Sequence, residues 1–346
     1  MFSKILVPLD GSDRAERALA VAGQLARASR GAVILVRVVN DIADTSALLA
    51  TAPLPRVDYL DRDEREARQY LDEAAVSEAL RDVRVETRVE FGITAEVILD
   101  SVAAWKADAI VLCSHGRTGL TRWALGSVAQ QIVRRSPAPI LLLREHGGLP
   151  VAHKEDGRAF RMLIPLDGSE LAEAALTPAI ALGAMMTAPD AFEIHLVRVI
   201  PFIHTPDHDA LREQAVIEAN AYLERVAKRI GAYPGGEHVR VTTAIVYDLD
   251  AATALARVAE KGSGVIGTAA VGGCDMIAMA THGRTGLALL AMGSVTDRML
   301  SATVLPALIV RPQITQRRES AVANAREEVK PMVLEEEAPH PWEAIF

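Results

Sequence analysis

The chain has 346 residues, enough for two cores of ordinary size, and its formal charge of −8 with a pI near 5.7 leaves no basic footprint for nucleic acid. Its 50% hydrophobic content comes with only 4% aromatic residues, so Ala, Val, Leu and Ile carry it, the composition of helices packed on a buried parallel sheet. No apolar run reaches the roughly 20 residues of a membrane helix, and a strand pattern starting at Lys4 leaves no room for a signal peptide, so a cytoplasmic protein without nucleic-acid or membrane partners is expected.

The first half reads in order as strand 4–9, helix 13–29, strand 32–39 and a Pro-containing connection to about residue 57. Helix 58–81, strand 83–91, helix 94–105, strand 108–113, helix 127–135 and strand 139–143 follow. Strands alternating with helices predict a parallel sheet covered on both faces. The continuous apolar run "ILVPL" places the first strand centrally, and Ser12 or Asp13 is suited to cap the helix behind it.

The chain then repeats itself. "KILVPLDGSDRAERAL" (4–19) returns as "RMLIPLDGSELAEAAL" (161–176), "ILVRVV" (34–39) as "IHLVRVI" (194–200), and "SHGRTGL" (114–120) as "THGRTGL" (281–287). The offset between copies grows from 157 at Asp10 and Asp167 to 161 at Val38 and Val199 and 167 at His115 and His282. Four residues therefore enter before the second strand of the second copy, around "TAPDAFE". Six more enter before its His-Gly loop, with the glycine-rich segment 261–273 as the expected site of much of that gain. This is a duplicated domain: 1–145 and 160–312, joined by a linker at 146–159 and followed by a charged tail at 313–346, of which 315–329 could form a helix.

In a doubly wound sheet, ligands bind beyond the carboxyl ends of strands where the winding reverses. Two recurring loops lie at such ends: Asp-Gly-Ser after the first strand and His-Gly-Arg-Thr-Gly after the fourth. Asp10 and Asp167 read either as turn carboxylates or as acceptors for ribose or base donors. Gly126-Ser127 and Gly293-Ser294 stand at helix starts, where free amides and a hydroxyl can take phosphate oxygens. His115 and His282 adjoin Ser114 and Thr281, but neighbouring residues at a strand end point apart, so the histidines are read as orienting the loop rather than forming a nucleophilic dyad. The Walker pattern is absent. The GxGxxG at Gly262–Gly267 follows a helix and precedes a strand, the reverse of a dinucleotide site. Cys113 and Cys274 form no CxxC pair and are read as buried structural thiols.

These residues resemble a known pattern. Each half is similar to a universal stress protein domain, and the whole to a tandem universal stress protein, over about 1–145 and 160–312. Nucleotide-binding members of that family carry Gly, two residues, Gly, nine residues, then Gly-Ser or Gly-Thr. Here Gly116 and Gly283 are each followed by nine residues and then Gly126-Ser127 or Gly293-Ser294. The resemblance implies an α/β fold of two doubly wound five-stranded parallel sheets, each of order 3-2-1-4-5, with ATP, with or without Mg2+, beside strands one and four. It implies that Asp10 and Asp167 hold the ribose, that Val38 and Val199 meet adenine through the backbone, and that Gly116, Gly126, Ser127, Gly283, Gly293 and Ser294 take the phosphates. It also implies pairing of domains through the last strands, "APILLLR" and "LPALIVR", satisfied within the chain, with further homodimerisation.

Cys113 and Ala280 stand where the pattern has its first glycine, and Asp248 where members have another. A side chain at Cys113 is expected to intrude on a nucleotide more than one at Ala280. The leading expectation is an ATP-binding stress-response or signalling protein that transmits occupancy to an unidentified partner, and not an enzyme. The alternatives are a nucleotide-free scaffold that recruits partners through its tail and a slow ATPase.

Overall fold

A computed structural model describes residues 1–40, 56–114, 125–144, 158–201, 209–262, 272–281 and 293–312. Among these the first copy contains β1 (Lys4–Pro8), α1 (Asp13–Ser29), β2 (Ala32–Val39), α2 (Arg56–Ala75), β3 (Arg84–Phe91), α3 (Thr94–Ala104), β4 (Ala109–Cys113), α4 (Ser127–Arg135) and β5 (Ile140–Leu143). The second contains β6 (Arg161–Pro165), α5 (Glu170–Glu173), α6 (Leu176–Thr187), β7 (Phe192–Ile200), α7 (Asp209–Ile230), β8 (Val239–Tyr247), α8 (Ala251–Lys261), β9 (Met276–Ala280), α9 (Ser294–Ala302) and β10 (Ala307–Val310). The linker, the tail and its candidate helix at 315–329 fall mostly or wholly outside the described residues.

Local chemistry sets most boundaries. Ser12 caps α1 by accepting the Ala15 amide at 3.2 Å, and Arg30 ends it in the left-handed region at φ 53. The single helix expected over 58–81 stops at Ala75, and Ser77 leads into a 3-10 turn at Glu78–Leu80, because serine favours turns over helix interiors. The second copy breaks the counterpart of α1 into α5 and α6. Pro178 supplies the cause: it has no amide hydrogen, and its ring excludes the carbonyl four residues back, at Ala174, where α5 ends.

All strands form one sheet of order β3-β2-β1-β4-β5-β10-β9-β6-β7-β8, which is 3-2-1-4-5 in each copy. Every neighbouring pair is parallel except β5 and β10. At this antiparallel junction Leu141 faces Leu308, while Ala307–Leu142 and Ile309–Ile140 exchange equivalent positions, so a local pseudo-twofold axis passes through the leucine pair. One face of the sheet packs α1, α2, α6 and α7 into a core continuous across both copies, and the other holds two clusters, one of the second copy and one of the first that also takes in Leu300, Ala307 and Ile309 of the second.

Register also relocates the insertions. Ala32 pairs with Arg84 and Glu193 with Arg240, so the offset falls from 161 at the second strand to 156 at the third, then reaches 167 at Ala109 and Met276. The net gain of six seen in the sequence is thus a loss of five followed by a gain of eleven. Since α3 and α8 remain at an offset of 157, ten of those eleven residues lie between Lys261 and Met276.

Candidate functional site

β1 pairs with β4 and β6 with β9, so in each copy the loop after the first strand and the loop after the fourth flank one reversal in the winding. Asp10 and Asp167 are half-buried there and adopt the same geometry. Asp10 Oδ1 accepts the Ser12 amide at 3.1 Å and the Ser12 hydroxyl at 2.6 Å; Asp167 Oδ1 accepts the same groups of Ser169 at 3.0 and 2.6 Å. Gly11 and Gly168 complete the turns at φ +85 and +94, values that favour glycine. The turn role of these aspartates is therefore built, with the carboxylates held at the strand mouths.

The second pair of loops is different in kind. Gly126 and Gly293 are the N-caps of α4 and α9, and neither helix start carries a capping side chain. The glycine amides are engaged backward, Gly126 N–H donating to Ser114 O at 2.8 Å and Gly293 N–H to Thr281 O at 2.7 Å. Ser127 and Ser294 follow, both exposed. Each copy thus joins one helix start closed by serine to one left open by glycine.

Val38 packs against the cluster that contains Ile98 of α3 and Ile132 of α4, and Val199 against the matching cluster of the second copy. Ala280 is buried, and its carbonyl accepts the Thr296 hydroxyl at 3.0 Å. Gly116, Gly283 and both loop histidines lie outside the described residues. Cys274 is buried as expected, but Cys113 is only partly so, because it ends its strand at the mouth of the site. Strand alternation puts its side chain against the core on the α1 side, whereas Val38 and α4 lie on the other face, so the cysteine does not project among them. Burial pushes the Cys113 thiol up to about 11 and the Cys274 thiol to about 12.

Asp248, in the place of a glycine, does structural work. It accepts the Asp250 amide at 3.0 Å and pairs with Arg257 at 3.2 Å, while Asp250 caps α8 through the Ala252 amide. The first copy solves the same turn with Gly92 at φ +131.

A further cluster recurs beside each Asp-Gly turn without having been anticipated. The Arg37 guanidinium lies over the Tyr70 ring, 4.9 Å from its centroid, and that of Arg198 over Tyr222 at 5.3 Å. A methyl group added to Gly11 would come within 2.8 Å of Arg37 Nη1, and one on Gly168 within 3.4 Å of Arg198 Nη2. Tyr222 donates to Glu173 Oε1 at 3.0 Å. Burial, then the neighbouring Glu16 or Glu173 carboxylate, keeps both phenols well above their ordinary range. The arginine was visible in the repeated "VRV", but its tyrosine sits on a helix whose offset differs, 152, which hid the pairing.

Comparison with known proteins accounts for both copies. The model of the universal stress protein family matches residues 1–144 and 159–311. A universal stress protein of Bacillus subtilis is 30% identical over 148 residues, covering 42% of this chain and 100% of its own length. A universal stress protein of Mycobacterium tuberculosis is 26% identical over 209 residues, 60% of this chain and 62% of that protein. The crystal structure of a universal stress protein from Archaeoglobus fulgidus, at 19% identity, shares the fold with a TM-score of 0.59 over 91% of this chain and 98% of its own. With the two matched segments accounting for both halves of the sheet, the chain belongs to the universal stress protein family.

Proposed function

We propose that this protein binds ATP, with or without Mg2+, in the crevice of each copy and passes nucleotide occupancy to partners through conformation and oligomer state. One observation carries the reading: at each winding reversal the helix after the first strand is capped by its own serine, while the helix after the fourth starts at a glycine with no capping side chain. Such a start presents amide hydrogens and the positive end of the helix dipole to an anion. On this reading the phosphates lie on Gly126, Ser127, Gly293 and Ser294, with Gly116 and Gly283 contributing from the intervening loops. Asp10 and Asp167 face the ribose hydroxyls, and the backbones of Val38 and Val199 face adenine.

On this reading Mg2+ would be held mainly by the phosphates and water, as it usually is at nucleotide sites. We propose binding without turnover. A homodimer would use a face other than β5 and β10, which already pair inside the chain. No helix among the described residues is long and apolar enough to cross a membrane. The test is nucleotide analysis of the purified protein together with steady-state phosphate release. Co-purifying ATP and no release support the reading; protein free of nucleotide that also fails to bind added ATP overturns it, and release lost on Asp10→Asn and Asp167→Asn would make it an enzyme.

A further inference from the structure

The two helix starts assigned to phosphate are tied to each other at their far ends. α4 ends at Arg135, whose carbonyl accepts Arg311 Nη1 at 3.0 Å. α9 ends at Ala302, and the Leu300 carbonyl in its last turn accepts Arg144 Nη2. The last carbonyls of a helix have no partner within it, and a cation there also meets the negative end of the dipole. Each arginine directly follows the last strand of its own copy and caps the last helix of the other. Arg144 is 7% exposed, and Leu300 packs into the first copy's cluster with Ile132 and Ile309, so the crossing is anchored by apolar contacts as well.

From each arginine the backbone leads back into its own site. Leu143 O accepts the Ser114 amide at 2.9 Å, and Ser114 O accepts the Gly126 amide at 2.8 Å, next to Ser127 at the start of α4. Val310 O accepts the Thr281 amide at 2.8 Å, and Thr281 O accepts the Gly293 amide at 2.7 Å, next to Ser294 at the start of α9. The circuit closes: site one, α4, Arg311, site two, α9, Arg144, site one.

We propose that Arg144 and Arg311 are positioning residues for each other's nucleotide site: Arg144, in the first copy, sets α9 and hence site two, while Arg311, in the second, sets α4 and hence site one. The sites are thereby coupled, and reciprocally so, because linkage is symmetric in binding free energy. This rests on the nucleotide reading for its ligand, but the positioning itself has a readout that needs none.

The test uses the full chain with one site silenced at a time, Ser127→Glu placing a carboxylate where phosphate would sit in site one and Ser294→Glu doing so in site two. With only site two active, Arg144→Met is expected to weaken ATP binding by about threefold to tenfold, the loss of one charged helix cap. With only site one active, the same change leaves affinity within about twofold. Arg311→Met gives the mirror result, and because that side chain is less buried than Arg144 it tests the idea even if the Arg144 substitution fails to fold. Arg144→Lys, which keeps a cationic donor, restores part of the loss. Amide hydrogen exchange without nucleotide is the independent readout: Arg144→Met accelerates exchange across α9 and not α4. Effects confined to each arginine's own copy, or absent from both measurements, overturn the proposal. Crossed exchange in a protein that binds no ATP would uphold the positioning and sink the nucleotide reading instead.

Discussion

Acidification from pH 7 to pH 5 should destabilise this protein through His195. It stands in β7 at the position of Ile34 in the first copy and has no exposed surface. Its Nδ1 lies 2.9 Å from the Thr242 hydroxyl oxygen, and that hydroxyl donates its one hydrogen to Glu193 Oε1 at 2.9 Å. Thr242 must therefore accept from His195, which puts the proton of the neutral ring on Nδ1 and leaves Nε2 bare. Nε2 is buried without a hydrogen-bond partner, so a second proton would be a charge with no acceptor. Burial is the main reason the ring titrates at only about 4, with Glu193 opposing and Arg161 reinforcing the depression.

The sign follows from linkage. An unfolded histidine takes its proton near pH 6.5 and the folded one near 4, so stability is full above 6.5 and falls as pH drops through that interval. Between pH 7 and 5 the difference amounts to about 2 kcal/mol. Urea unfolding at the two pH values measures it, with His195→Ile, the residue of the first copy, as the control. The variant should lose about 2 kcal/mol less than the parent over this range. Parallel losses in the two proteins would refute the assignment of the acid sensitivity to this ring.

Gly11→Ala should cost about 1–2 kcal/mol, since φ is +85 and the new methyl also presses on Arg37, whereas Gly168→Ala meets only the strained backbone; paired thermal melts rank them. ATP binding at site one should weaken in the first variant and not in the second. Asp297 lies in the first turn of α9 while α4 has no acidic residue there, so Asp297→Asn should tighten ATP at site two by about twofold to fivefold in calorimetric titration, and an unchanged affinity would count against phosphate at that helix start. With both thiols held at about 11 and 12, a disulfide reagent at pH 8 should label neither cysteine rapidly in the folded chain and both after unfolding; fast labelling of folded Cys113 would contradict the packing of its side chain against the α1 core.

The architecture was legible because duplication supplies its own alignment. α1 and α4 begin and end where the sequence reading places them, each boundary being set by residues next to it, Ser12 and Gly126 among them. Where the cause lay at a distance, legibility failed. The opposing length changes on either side of the third strand cancelled in the sequence and separated only when Ala32 found Arg84 and Glu193 found Arg240 across the sheet. The direction of Cys113 follows from counting alternate residues back along β4, through Val111 and Ala109 to the α1 core, which the sequence permitted but a glycine motif read alone does not. Arg144 and Arg311 stood in plain view in "LLLR" and "LIVR", yet their crossing depends on the antiparallel register of β5 and β10.

The most direct test of the nucleotide account is the number of ATP molecules bound per chain at saturation, measured by equilibrium dialysis for the parent, Ser127→Glu, Ser294→Glu and the double variant. Two sites built alike predict about two, one, one and none. Absence of saturable binding in the parent, or binding that survives in the double variant, would contradict it.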